Sequence, residues 1–416
     1  MPQYQEKKFY PWVVVGLLWV VALLNYLDRQ MLSTMKVSMM VDITELETAQ
    51  NFGRLMAVFL WIYGFMSPVA GLIADRVNRK WLIVISLFVW SGVTLTMGAA
   101  KDFQVLYVLR AIMGVSEALY IPTALSLIAD YHKDNTRSLA VGIHMTGLYV
   151  GQALGGFGST IASRFSWQVA FQSFGLVGIL YCIVLILFLH ENKEARGKSS
   201  KPGMQDPVKG FKSVINSLGM LLGTISFWVI LFYFAVPSFP GWAIKNWLPT
   251  LFSESLHLDM AVAGPMATIT IASSSFIGVI LGGIIADRWI LRNLRGRIYT
   301  GAIGLSLMAP ALVFLGYGNG LIGIIGGGVL FGIGFGMFDA NNMPILCQFV
   351  SSKHRAAGYG LMNMVGVFSG AAVTEFLGKS TDAGNLGRDM ALLAIPVLLA
   401  VFLQLLVLRP EYANKL

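Results

Sequence analysis

The sequence predicts an all-α integral membrane protein whose twelve transmembrane helices form two pseudo-symmetric six-helix bundles. Three observations predict it. Of the 416 residues, 56% are hydrophobic and only 12% charged, about half the charge of a soluble domain. The apolar residues fall into twelve stretches, each close to the roughly 20 residues that span a bilayer as a helix. Motifs of the first half return in the second half in the same order.

The first six stretches are 11–35, 52–74, 81–99, 103–129, 139–162 and 167–189. The first is long and runs on into Asn25-Tyr26-Leu27-Asp28-Arg29 instead of a small-residue cleavage site, so it reads as a retained helix and not a signal peptide. A polar segment with Lys193, Arg196, Lys198, Lys201, Lys209 and Lys212 follows. It divides the chain into an N-terminal bundle (1–190), a linker (191–218) and a C-terminal bundle (219–416). The second six stretches are 221–252, 262–286, 298–315, 321–350, 358–377 and 390–408.

The formal net charge of +9 does not indicate nucleic-acid binding, because the basic residues sit in short loops between apolar stretches. With both termini placed inside, inner segments carry 21 of the 30 Lys and Arg and outer segments six. That bias places both termini in the cytoplasm and the protein in the cell inner membrane. The remaining three, Arg29, Arg110 and Lys245, fall within helices.

Gly71-Leu72-Ile73-Ala74-Asp75-Arg76 ends the second stretch, and Gly283-Ile284-Ile285-Ala286-Asp287-Arg288 ends the eighth. Gly114-Val115-Ser116-Glu117-Ala118 through Pro122 is echoed by Gly336-Met337-Phe338-Asp339-Ala340 through Pro344. Arg137 and Gly142 are echoed by Arg355 and Gly360. Parallel repeats of this kind put a substrate site between the halves near mid-membrane.

These residues carry a family resemblance. Gly71, Asp75, Arg76, Arg79 and Lys80 match the loop motif between helices two and three of the major facilitator superfamily, with Asn78 where the pattern usually has Gly. Asn25-Tyr26-Leu27-Asp28-Arg29 resembles a run of the anion:cation symporter family. So do Arg110-x-x-x-Gly114-x-x-Glu117-Ala118-x-x-x-Pro122 in helix four and Trp247-Leu248-Pro249-Thr250 in helix seven. The resemblance implies the major facilitator fold and transport of organic anions such as sugar acids, usually driven by protons. It gives Arg29 the role of anion contact and supports Asp28 and Glu117 as proton sites. Spinster-like lipid transporters share a similar helix-one run.

Read physically, the intramembrane charges carry the functional expectation. A charge in a membrane helix costs about 2.5–3.5 kcal/mol on insertion scales, so it needs a partner or a water-filled cavity. Arg110, Gly114 and Glu117 share one helix face, with Gly114 leaving room for a neighbouring helix or a substrate. Arg29 offers the planar fork that matches a carboxylate. Glu117, with Asp28 as second candidate, is the expected coupling proton site, and Arg110 is expected to position the two acids. Pro237, Pro240 and Gly241 are expected to break helix seven just before Lys245. Lys245 then either contacts the anion or snorkels to the outer surface. Tyr149, Gln152, Asn341, Asn342 and Asn363 complete the candidate substrate contacts. Asp339, the repeat counterpart of Glu117, lines the cavity or joins a packed hydrogen-bond network with the two asparagines. His144 reads as a satisfied buried histidine. Asp75, Arg76, Arg79, Asp287 and Arg288 are the expected gating latch at the cytoplasmic helix ends.

No metal constellation, phosphate loop or nucleophile–base pair is present, so no enzyme activity, cofactor or metal is expected. Gly332-Ile333-Gly334-Phe335-Gly336 lies inside an apolar stretch and reads as helix packing, not a nucleotide loop. Cys182 and Cys347 read as small buried hydrophobes. The expected function is proton-coupled symport of a small organic anion (a hexuronate, aldonate or sialic acid) by alternating access. The chain is expected to act as a monomer in contact with membrane lipid, and sodium in place of the proton stays open. The alternatives are a spinster-like carrier of lipids or amphiphiles and a non-transporting membrane sensor.

Overall fold

A computed structural model describes residues 9–74, 77–132, 136–191, 216, 218–318, 320–351 and 354–410. Nearly all of the expected linker, and Asp75 and Arg76 of the expected latch, lie outside the described residues.

The described residues form twelve helical spans. In the first half these are α1 (Tyr10–Leu32), α2 (Ala49–Ala74), α3 (Arg79–Met97), α4 (Phe103–Tyr131), α5 (Arg137–Gly155) and α6 (Trp167–Phe188). In the second half they are α7 (Ile225–Leu256), α8 (Met260–Ile290), α9 (Gly296–Tyr317), α10 (Gly320–Phe349), α11 (Arg355–Asp382) and α12 (Leu386–Val407). Eleven are long and apolar enough to cross a membrane on their own composition. The twelfth, α5, is diluted by His144, Tyr149, Gln152 and its glycines, and it spans because its neighbours cover these groups. An even number of spans brings both chain ends to one face of the bundle, here the terminal face; the opposite side is the far face.

Outward-pointing apolar side chains mark the lipid-facing helices, such as Trp81, Ile85 and Phe88 on α3, Leu180 and Leu187 on α6, and Ile395 and Phe402 on α12. Inside each half the helices meet through glycine. Gly151 of α5 lies on the Leu23 carbonyl of α1, and Gly336 of α10 on the Ser275 carbonyl of α8. Gly332, Gly334 and Gly336 all sit at such helix crossings. Only glycine lets backbones approach this closely. The two halves join along α2 against α11 and α5 against α8.

Proline explains where helices break. Pro122 offers no N–H to the Ala118 carbonyl, and α4 is interrupted at Leu119. Pro344 stands in the same relation to Ala340, and α10 is interrupted at Ala340 and Asn341. The break expected in helix seven does not occur. α7 runs unbroken through Pro237, Pro240 and Pro249. All three are buried against other helices, and packed neighbours sustain proline in a membrane helix. Gly241 instead admits the Phe335 ring of α10. Asn78 of the loop motif caps α3, its side chain accepting from the Trp81 N–H at 3.0 Å. Its φ of −63° asks for no glycine.

Candidate functional site

α1, α2 and α4 bring most of the predicted charges together. Arg29 Nε donates to Glu117 Oε2 at 2.5 Å, and Asn25 Nδ2 donates to the same oxygen at 3.0 Å. Glu117 is 0% exposed, while the Arg29 side chain keeps 10%. The guanidinium lies over three rings, Tyr26 at 5.1 Å, Phe59 at 4.9 Å and Tyr63 at 4.7 Å, a cation–π enclosure that holds it in place. Arg110 shares the Phe59 ring at 4.7 Å, and its Nη1 meets the Met113 sulfur at 3.1 Å. Thr94 donates to Asp28 Oδ2 at 3.3 Å. Gly114 makes room for α2, with the Phe59 carbonyl and Tyr63 N–H against it. It therefore serves a neighbouring helix, not a substrate.

This cluster is short of partners. Arg29 Nη2, Glu117 Oε1, Asp28 Oδ1, Asn25 Oδ1 and Arg110 Nε are buried with no hydrogen-bond partner. Each such group costs about 1–3 kcal/mol when left unmade. Concentrating five of them in one place leaves valences that a proton or a ligand oxygen can fill. Arg110, expected to position the acids, makes no ion pair with either of them among the described residues and acts on them only through its field.

α7 brings the third cation from the opposite half. The Lys245 ammonium lies over Trp242 at 5.0 Å, Phe335 at 5.4 Å and Tyr26 at 6.0 Å. Arg29 and Lys245 therefore approach the same Tyr26 ring from two halves of the molecule. Lys245 faces the seam between the halves and not the outer surface. Pro249 explains its register. With no N–H at 249, the Lys245 carbonyl is free, and Gln30 Nε2 of α1 donates to it at 2.8 Å.

The other candidates separate into seam and interior. Tyr149 is partly exposed and packs edge-on against Phe276 of α8 at 5.8 Å. Asn363 Nδ2 donates to Ser67 Oγ of α2 at 3.0 Å. Both therefore lie between the halves. Gln152, Asn341 and Asn342 are buried. Asn341 donates to the Met337 carbonyl at 2.8 Å and Asn342 to Asp339 Oδ1 at 3.2 Å. Their side chains spend their donors inside the broken helix. Asp339 itself is exposed and within electrostatic reach of Lys245 and Tyr359. His144 is buried and packs edge-on against the Tyr120 ring at 5.9 Å, with the Leu18 backbone within reach of its ring. Cys182 is buried as expected, whereas Cys347 is only partly so.

Sequence reasoning did not single out the aromatic enclosure of Tyr26, Phe59, Tyr63, Trp242, Phe335 and Tyr359. Tyr26 stood in the motif already quoted, and Phe59 and Tyr63 are one helical turn apart. The spacing was readable, but the cations they would enclose were not.

Hydrogen bonds between the halves concentrate at the far face. Asp382 of α11 accepts from the Ala49 and Gln50 N–H groups at the start of α2, at 2.7 and 2.9 Å. Thr160 donates to Ala261 at 2.9 Å and Thr268 to Ala153 at 3.0 Å. At the terminal face the described ion pairs stay within a half. Arg79 pairs with Asp130, and Asp287 with Arg297 at 3.7 Å. The expected latch residues Arg79 and Asp287 thus fasten their own bundles here, and Arg288 is exposed. Among the described residues, the hydrogen bonds joining the halves lie mostly toward the far face, and no ion pair joins them at the terminal face.

Comparison with known proteins agrees with this architecture. The model of the Major Facilitator Superfamily matches residues 18–374. The probable galactarate/D-glucarate transporter GudP of Escherichia coli (strain K12) is 25% identical over 94% of this chain and 91% of its own length. The sphingosine-1-phosphate transporter SPNS2 of Xenopus tropicalis is 25% identical over 69% of this chain and 57% of its own. The chain spans only 53% to 67% of the length of several other relatives it matches. A crystal structure of a bacterial homolog of the human lysosomal transporter spinster, inward-facing and unoccupied, shares the fold with TM-score 0.80, 20% identity and 98% coverage of both chains.

Proposed function

Because the chain belongs to the Major Facilitator Superfamily, we propose that it is a secondary transporter that carries a small organic anion through the seam between its halves, coupled to a proton. The observation that supports this most is the Arg29–Glu117 pair. Its buried guanidinium keeps one unpartnered Nη2, and an unbonded ammonium stands across Tyr26 on the other half.

An entering carboxylate competes with Glu117 for Arg29, since a guanidinium binds a carboxylate best through two parallel bonds. Glu117 released from Arg29 in a dry site keeps only the field of Arg110, with which it makes no ion pair among the described residues, and this loss of its direct counter-charge favours taking up a proton. Anion binding and protonation are thereby linked. Lys245 offers the anion a second contact from α7, so the bound anion touches both halves and its release depends on their separation. Tyr26, Tyr63 and Tyr149 present hydroxyl groups suited to a polyol chain, in keeping with the sugar-acid relative.

A second reading is carriage of an anionic amphiphile. The relatives named for sphingosine-1-phosphate and spinster favour it, and the aromatic lining suits an acyl chain. Uptake into proteoliposomes separates the two. Galactarate or galactonate should accumulate when an inward proton gradient is imposed, and sphingosine-1-phosphate should not compete. Uptake indifferent to pH and membrane potential removes the coupling, and competition by the lipid alone favours the second reading.

A further inference from the structure

On the lipid-facing flank of the C-terminal half, far from the site described above, lies a cleft of about 380 Å³ lined by Trp289, Tyr299, Ala302, Ile303, Ser306 and Leu405. It runs between the end of α8, the first turns of α9 and the last turns of α12, near the terminal face. Ser306 and Tyr299 carry its hydroxyl groups; the rest of the wall is apolar or aromatic.

The mouth of the cleft is strongly basic. Residues 287–297 read Asp-Arg-Trp-Ile-Leu-Arg-Asn-Leu-Arg-Gly-Arg, four arginines against one acid. Asp287 is taken by Arg297. Arg295 is anchored by donation from Nη2 to the Leu405 carbonyl at the cleft wall, and its guanidinium lies 5.1 Å from the Tyr299 ring centroid. Its Nε is buried without a partner. Arg292 is exposed, with no ion pair among the described residues. Between these cations Leu291 is 85% and Leu294 54% exposed. Leucine does not stand in water on a basic loop without a reason; at a bilayer interface such residues enter the acyl boundary while the arginines stay at headgroup level.

An apolar groove open to the lipid, bordered at one end by the anchored Arg295 guanidinium with other arginines close by in sequence, fits one ligand chemistry. We infer that this cleft holds one anionic phospholipid of the leaflet at the terminal face, its phosphate on Arg292 and Arg295 and an acyl chain along Ile303 and Leu405. The Lys and Arg distribution places the cytoplasm on this side, where anionic lipids concentrate. Trp289 and Tyr299 lie beside the arginine end, where a glycerol backbone would run, and Ser306 lies deeper along the groove. Neither the wall of this cleft nor that of the crevice on the other half, lined by Leu95, Thr96, Ala99, Gln172, Ser173 and Leu176, contains an arginine; what marks the first is Arg295, bonded to the Leu405 carbonyl in its wall.

The test uses the full-length protein in non-ionic detergent, with phosphatidylglycerol, phosphatidylcholine and glycerol 1-phosphate as separate probes. Phosphatidylglycerol should raise Tm by about 3 °C or more and survive as a one-to-one adduct in native mass spectrometry. Phosphatidylcholine should give less than half that shift, and glycerol 1-phosphate almost none. Arg292→Gln should weaken the phosphatidylglycerol shift by removing charge, and Ser306→Phe should remove it by filling the groove. An equal shift with phosphatidylcholine, a full shift with glycerol 1-phosphate alone, or an unchanged shift in both variants overturns the assignment. The Ser306→Phe arm leaves every arginine in place, so a folding defect in the charge variant does not shield the idea.

Discussion

Glu117 and Asp339 occupy corresponding places in the two halves, yet their surroundings are opposites. Each ends the first segment of a helix that proline breaks a few residues on. Glu117 is dry, held by Arg29 and Asn25 and flanked by a second arginine. Asp339 is exposed, takes one long hydrogen bond from Asn342, and has Lys245 within reach without forming an ion pair among the described residues. The repeat thus conserves the backbone device and varies the company kept by the acid. A carboxylate locked in a dry network loses a charged partner when a ligand takes that partner away, whereas Asp339 has no such partner to lose among the described residues. The proposed mechanism therefore assigns ligand-linked proton uptake to the N-terminal acid.

The largest expected effect comes from Arg29→Ala. Losing a two-bond carboxylate contact should reduce substrate affinity by at least about 100-fold. It also leaves Glu117 buried without its counter-charge, so the melting temperature should fall at neutral pH and recover partly in Arg29→Ala/Glu117→Gln. Unchanged binding by isothermal calorimetry would remove Arg29 from the site.

Next, Glu117→Gln and Asp339→Asn should behave differently. The first should keep counterflow exchange and lose gradient-driven accumulation. The second should keep accumulation, with rates within about fivefold of the parent, because Asp339 holds no ion pair among the described residues that an entering anion would displace. If Asp339→Asn abolishes accumulation and Glu117→Gln does not, the contrast drawn between the halves is reversed.

Helix crossing offers a smaller difference at another pair of repeat positions. A side chain at Gly336 would run into the Ser275 carbonyl oxygen and come within 2.7 Å of the Val279 nitrogen, while at Gly114 it would meet the Phe59 carbonyl oxygen at 2.8 Å and the Tyr63 nitrogen at 3.2 Å, backbone in both places but less crowded at Gly114. Gly336→Ala should destabilise by about 1–3 kcal/mol and Gly114→Ala by less, read as melting temperature in detergent. Equal losses would mean that α4 crosses α2 as tightly as α10 crosses α8.

The smallest effect is expected from Gln30→Ala, which removes one bond between the halves, about 0.5–1.5 kcal/mol. Disulfide trapping across Thr160→Cys and Ala261→Cys should become slower as the far face opens more often. Unchanged trapping would show that Asp382 at the start of α2 carries the closure without it.

Much of this was written in the chain itself. Composition alone required lipid around the molecule, because so few charges cannot solvate 416 residues. Apolar runs and the Gly71-to-Arg76 and Gly283-to-Arg288 copies determined the number of helices and their division into halves, since a helix must satisfy its own backbone in a bilayer. Arg29, Arg110 and Glu117 announced themselves, as intramembrane charges do. Tertiary structure decided the pairings. No spacing told that Arg29 would choose Glu117 over Asp28, that Lys245 would turn to the Tyr26 ring of the other half, or that α7 would hold together through three prolines while α4 and α10 broke. Those outcomes depend on which helices lie alongside one another. Contacts between helices far apart in sequence are set by packing in three dimensions, which the local periodicity of one chain does not encode.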